Sequence, residues 1–179
     1  MADFIRTYTG KHFYPTDPRS SDICIEDIAH ALSLICRANG HFPRFYSVGQ
    51  HSISCAREAM ARGLPDKTAL ACLLHDGSES YLSDITRPVK KELPEYREYE
   101  KKLQTAIFEK LVGTLTDEEL AVVKLIDDTM LYYEFYHFMN DKICPALPKE
   151  SEPSYDFQSF EEVEREFIEL YDSLKKQGA

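Results

Sequence analysis

Residues 116–140 read TDEELAVVKLIDDTMLYYEFYHFMN. Thr116 followed by Glu119 forms a capping box, in which side chain and backbone satisfy each other at a helix start. The spacing predicts the longest helix of the chain. Leu120, Val123, Asp127, Met130 and Glu134 recur at three- and four-residue steps and make one stripe, the face a bundle buries. Asp127 is therefore expected to point inward, whereas Asp128 is turned away by about 100 degrees and can pair with Lys124 on the surface. A carboxylate on an apolar stripe is costly unless it is paired or bound to metal.

Working outward, the same periodicity recurs along the chain. Ser21 or Asp22 is expected to cap a helix over IEDIAHALSLICRAN that Gly40 ends. A second helix is predicted from about Ser47 to Arg62 with Gly63 beyond it, and a third from about Pro65 to Leu82. After SDITRP come a short VKKEL segment and PEYREYEKKLQTAIFEKLVG, closed by Gly113. Residues 1–22 read as an extended arm and 141–157 as loop. A last amphipathic helix, about Ser159 to Lys176, is expected to pack on the outside. Strand alternation is not evident, so the expectation is an all-α, single-domain helical bundle spanning residues 1–179.

Composition narrows the chemistry. The chain has 179 residues, 21 basic and 31 acidic, for a formal charge of −10. That field repels a nucleic-acid polymer but leaves room for a small phosphorylated ligand, which needs only local cations or one metal ion. Seven glycines form neither GxxxxGK nor GxGxxG, so no phosphate-cradling loop is expected. Five scattered cysteines without CxxC spacing read as buried thiols of a reducing compartment, and no apolar run suggests a signal peptide or a membrane span. The expected location is cytoplasmic.

The chemistry concentrates in LACLLHDGSESYLSDITRPVKK, residues 70–91. His75 and Asp76 adjoin in a segment otherwise apolar inward, Glu79 follows four residues on, and Asp84 stands past the expected helix end. An isolated His-Asp pair is most often a satisfied core hydrogen bond. Four ionisable groups within ten residues are costly as core packing. His51, in SVGQHSISCA, occupies a comparable inward position beside Val48, Cys55 and Ala59. Three helices thus offer His51, the pair His75 and Asp76, and Asp127. Two imidazoles and two carboxylates suit one divalent ion, manganese, cobalt, iron or zinc better than magnesium alone.

The pattern H…HD…D, with HDxxE and a following Asp, resembles the HD-domain phosphohydrolase superfamily from about Asp27 to Glu134. DIAHALSLICRANGH, FYSVGQHS, LLHDGSESYLSDITRPVK and the Asp127 helix are similar to its small branch of bacterial 5′-deoxynucleotidases and phage dATP triphosphohydrolases. The resemblance implies His51, His75, Asp76 and Asp127 as metal ligands, Glu79 and Asp84 as the catalytic acidic pair, and Arg37 as a phosphate-facing arginine. The nucleotidases carry a sugar-screening tryptophan after that arginine, where this chain has Ala38, and the spacing to His51 differs by one residue.

Other residues keep two readings. Arg44, Arg87, Lys90 and Lys91 either attract phosphate or are solvated loop charges; Arg87 and Lys90 are the stronger substrate-binding candidates. His12, His30, His41 and His137 read as packing or surface groups, with His30 and His41 nearest Arg37 in sequence. Glu134 either orients a ligand or pairs with a cation. The aromatic run 131–138 stacks a base or, preferably, forms a subunit interface. The expected function is metal-dependent hydrolysis of a small nucleotide, foremost as a 5′-deoxynucleotidase. The alternatives are a triphosphohydrolase, an inactive nucleotide-binding protein and a structural bundle. The expected partners are the nucleotide and further copies of the chain, with neither membrane nor nucleic acid.

Overall fold

Residues 3–177 are described by a computed structural model. Residues 1–2 of the expected arm, and 178–179 at the other end of the expected domain, lie outside the described residues. Helix accounts for 61% of the described residues and strand for 3%, so the all-α expectation holds. The arm is not merely extended: β1 (Ile5–Arg6) and β2 (His12–Phe13) pair antiparallel. Phe13 is fully buried, stacked 3.9 Å from the Tyr81 ring. Two strand residues are too few for alternation to register.

Helix α1 (Ile25–Leu34) begins at Cys24 with no side-chain cap; Ser21 and Asp22 sit instead in a separate 3-10 turn. It also stops five residues short of the expected end. The Cys36–Ser47 bridge pulls the chain out of the helix, and a second 3-10 turn covers Arg37–Gly40. Ala38, Asn39 and Gly40 there have φ of 52, 50 and 75 degrees, a left-handed run. Helix α2 (Val48–Ala61) opens on a Ser47–Gln50 capping box. Gly49 lets α1 and the C-terminal helix approach it: a Cβ there would lie 2.9 Å from Val163 Cγ1 and 3.2 Å from Leu32 O.

The expected third helix is broken. Helix α3 (Asp66–Leu73) ends at Leu74, whose backbone leaves the helical range, and α4 (Glu79–Leu82) starts five residues later. The intervening turn closes on bonds of three-residue spacing, Gly77 N to Leu74 O at 2.9 Å and Glu79 N to Asp76 O at 3.0 Å. Helices α5 (Arg87–Lys91), α6 (Pro94–Leu111) and α7 (Asp117–Met139) follow, the last opened by the expected Thr116–Glu119 box. Along α7 Val123, Met130 and Glu134 are buried as expected, but Leu120, in the first turn, is 40% exposed.

Helix α8 (Phe160–Gln177) is not an outer addition. It packs on α1, α2 and α3, and Val163, Phe167 and Leu174 are core residues. Its apolar stripe faces the same core that α2 and α3 share. No helix among the described residues is long and apolar enough to cross a membrane.

Candidate metal centre and cavity

Three elements converge on one point. Helix α2 carries His51, the tight turn after α3 carries His75 and Asp76, and α7 carries Asp127. His51 Nε2 lies 3.2 Å from His75 Nε2 and 3.3 Å from Asp127 Oδ1. Asp76 Oδ2 lies 3.3 Å from His75 Nε2 and 3.9 Å from His51 Nε2; Asp127 Oδ1 is 3.8 Å from His75 Nε2. Donors sharing an ion at ~2.1 Å bonds are separated by roughly 3.0–3.4 Å; three of these distances fall in that range, and the 3.8 and 3.9 Å separations exceed it by about half an ångström.

The far side of each ring explains its orientation. His75 Nδ1 is 2.7 Å from Cys72 O, an acceptor, so that nitrogen carries a proton and Nε2 is the atom that faces the cluster. His51 Nδ1 is 2.6 Å from Glu134 Oε1, with the same consequence. Arg37 Nη2 also lies 3.2 Å from His51 Nδ1, but its acceptor is Glu134 Oε2 at 3.1 Å. The two Nε2 atoms thus face each other at 3.2 Å beside two carboxylates, an arrangement satisfied either by a shared cation or by protons on the rings bonded to the carboxylates; burial acts to lower both imidazoles, but the carboxylates beside them raise both. Cys55 Sγ stands 3.5 Å from His51 Nε2, and His51, Cys55 and His75 form a group that could hold a metal ion. Burial pushes the Cys55 thiol well up, which makes it a weaker donor than the carboxylates.

The bare cluster is polarised. Burial acts to raise the carboxyls of Asp76 and Asp127, yet the imidazoles outweigh it and hold both well below the usual range. Glu79 behaves oppositely: burial, then the charges of Asp76 and Asp84, push it well up. Burial raises Asp84 as well, against Arg37, with Asp76 adding to the rise. Carboxyls driven apart in this way are a mark of acid–base sites and also of structural ion networks. Glu79 Oε2 is buried and has no hydrogen-bond partner.

His75, Asp76 and Asp127 open on a cavity of about 1250 Å³. Arg37 lines it, 3.6 Å from Asp76 and held by Glu134. Glu79, Asp84, Arg87 and Lys90 line it too. The two substrate-binding candidates are already engaged. Arg87 reaches Asp127 Oδ2 at 3.1 Å and Asp128 at 3.0 Å, and Lys90 lies 2.5 Å from Glu100 and 3.9 Å from Glu79. Asp128 pairs with Lys124, as expected, although Lys124 also bonds Asp127 Oδ2 at 3.2 Å.

Some candidates fall elsewhere. His30 stacks on Tyr8 and bonds Glu164, and it does not line the cavity as Arg37 does. Of the four minor histidines His41 lines the cavity; His12 stacks on Phe4 and His137 on Tyr155. Arg44 sits over Phe138 and Lys91 is exposed, both away from the cavity lining. Glu134 pairs with the Arg37 cation, one of its two anticipated readings, and also bonds the His51 ring. From the aromatic run, Leu131 and Phe135 face the cavity with Phe42, while Tyr136 is exposed.

Two contributors had escaped the sequence reading as such. Cys55 stands at i+4 from His51, a spacing that places both on one helix face, so its signal was present. Gln104 of α6 had none: it bonds Leu74 O at 2.7 Å and Ser78 N at 2.9 Å, backbone groups visible only once the turn is known.

Among curated proteins, YfdR of Escherichia coli K12, described as uncharacterized, is 44% identical over 107 residues, which is 60% of this chain and 57% of that protein. RCAP_rcc00048 of Rhodobacter capsulatus, also described as uncharacterized, is 38% identical over 108 residues, 57% of this chain and 55% of that protein. The chain thus spans little more than half the length of these relatives. No family model matches it.

Proposed function

We propose that the chain is a metal-dependent phosphohydrolase of the HD-domain type acting on small nucleotides, with a deoxynucleoside 5′-phosphate as the preferred substrate. The observation carrying this reading is the convergence of the His51 and His75 Nε2 atoms, 3.2 Å apart, with Asp76 and Asp127 at the wall of a cavity large enough for a nucleotide. His51, His75, Asp76 and Asp127 would hold one divalent ion, manganese, cobalt, iron or zinc. When bound, such an ion polarises a phosphoryl oxygen and lowers the pKa of water toward ~7.

The chain's own groups supply the rest. Arg37, fixed between Glu134 and Asp76, presents guanidinium donors to phosphate oxygens. Glu79 accepts the proton of the attacking water as its oxygen bonds to phosphorus. The ester bond from phosphorus breaks, and Asp84 assists the return of that proton to the leaving oxygen. Arg87 and Lys90 contribute to phosphate binding by exchanging their present carboxylate partners for substrate.

A second reading, cleavage of a nucleoside triphosphate with release of triphosphate, draws on α6. Arg97 and Lys101, one turn apart, line the cavity and have no ion-pair partner among the described residues. The apolar wall of Leu131, Phe135 and Phe42 would then take the base.

The test is to incubate the protein with each nucleoside mono- and triphosphate plus manganese or cobalt, and to identify the product. Orthophosphate from deoxynucleoside monophosphates, abolished by chelator and by His75→Ala, is the expected result. Released triphosphate would favour the second reading, and absence of hydrolysis with every metal and nucleotide would contradict both.

A further inference from the structure

We infer that Gln104 is a positioning residue for the metal centre, acting through the backbone turn that carries His75 and Asp76; the inference rests on the metal reading above. The turn is irregular, closed within itself by bonds of three-residue spacing such as Gly77 N to Leu74 O. Gln104 adds the tie that fixes it against α6. Its Nε2 donates to Leu74 O at 2.7 Å and its Oε1 accepts from Ser78 N at 2.9 Å. Those two backbone groups flank the segment His75–Gly77, and Leu74 and Ser78 are both buried. A single planar amide therefore spans the segment that aims His75 Nε2 and Asp76 Oδ2 toward His51.

The same helix also holds the turn sterically. A Cβ on Gly77 would lie 3.0 Å from Leu74 O and 3.2 Å from Ile107 Cγ2, one turn along α6 from Gln104. The turn is thus pressed against α6, a helix that contributes no donor to the cluster. Glutamine fits because it alone, among side chains of its length, offers a neutral donor and an acceptor together. Methionine fills the volume and offers neither. Glutamate at neutral pH keeps the acceptor for Ser78 N–H but sets a charged oxygen against Leu74 O.

Groups that orient metal-binding backbone and side chains change affinity about 10- to 100-fold when removed. The experiment titrates cobalt(II) into metal-free wild type and Gln104→Met, reading both the dissociation constant and the visible absorption of the saturated protein. The expected result is at least tenfold weaker binding in the variant together with a shifted or weakened spectrum at saturation, because the donors no longer converge in the same geometry. A purely structural glutamine would lower thermal stability and leave the saturated spectrum as in wild type, and that outcome overturns the inference. Should Gln104→Met not fold, Gln104→Glu, which loses only the donor to Leu74, carries the same readouts. Wild type that binds no cobalt would overturn the metal reading and this inference together; tight, unaltered binding in the variants would overturn the role of Gln104 alone.

Discussion

At the scale of single residues, Glu79 and Ala38 give the sharpest tests. Glu79→Gln keeps size and removes the basic carboxylate, so turnover should fall by ~10²- to 10⁴-fold, measured as steady-state rate, while metal content stays that of wild type. A parallel fall in metal content would make Glu79 a brace for the ligands instead. Ala38 lines the cavity with only a methyl group, at the position where the proposed nucleotidase family would carry tryptophan. Ribo- and deoxynucleotide rates should therefore lie within about tenfold of each other, since the bulky wall that rejects a 2′-hydroxyl is missing. A strong deoxy preference would assign that wall to another residue, with Phe42 the buried aromatic of the same lining. Much of the candidate site was legible residue by residue, because metal-capable groups on apolar stripes stand out against their neighbours. The occupied states of Arg87 and Lys90 were not, since their carboxylate partners stand on other helices, Asp127 and Asp128 on α7 and Glu100 on α6.

At the scale of elements, helix starts with capping boxes were readable and irregular breaks were not. Thr116 and Ser47 announce α7 and α2 through local chemistry. The break at Leu74–Ser78 is held by tertiary contacts with α6, and nothing local to LLHDGS distinguishes it from continuing helix. The core role of α8 was hidden for a related reason: its amphipathic stripe fits an outer helix or a buried one, and Gly49 is what lets it approach closely. Gly49→Ala should then destabilise the fold by about 1–3 kcal/mol through overpacking, read as a lower midpoint in urea with an unchanged slope. An unaltered midpoint would mean that Val163 yields without cost.

A buried clasp gives the elements a pH dependence. Glu58 of α2 accepts hydrogen bonds from Ser151 Oγ at 2.5 Å, from the backbone N–H groups of Ser151 and Glu150, and from Arg62. Burial acts to raise its carboxyl, but these bonds prevail and hold it below the ordinary value. A carboxyl lowered on folding contributes stability in full above its unfolded pKa of ~4.3, and that contribution is lost as pH falls through the folded value. Wild type should accordingly exceed Glu58→Gln in melting temperature at pH 7, with the gap narrowing from about pH 4.5 downward. A gap independent of pH would show that shape, not charge, secures residues 148–151.

For the molecule as a whole, helices from distant parts of the sequence have one convergence point, and that point is built from imidazoles and carboxylates in place of apolar side chains. A bundle with a formal charge of −10 has little to gain from burying further acidic groups beside one another. The rival account, in which the cluster is an ion-paired core of protonated imidazoles and carboxylates, uses the same distances with protons in the place of a metal. Elemental analysis of metal content separates the two accounts. Wild type, Asp127→Ala and Asp128→Ala would each be purified without chelator, reloaded with manganese or cobalt, and desalted before measurement. The account requires close to one ion per wild-type chain, nearly unchanged occupancy in Asp128→Ala, and a large loss in Asp127→Ala. A wild-type protein that retains no ion, or equal occupancy in the two variants, would contradict it.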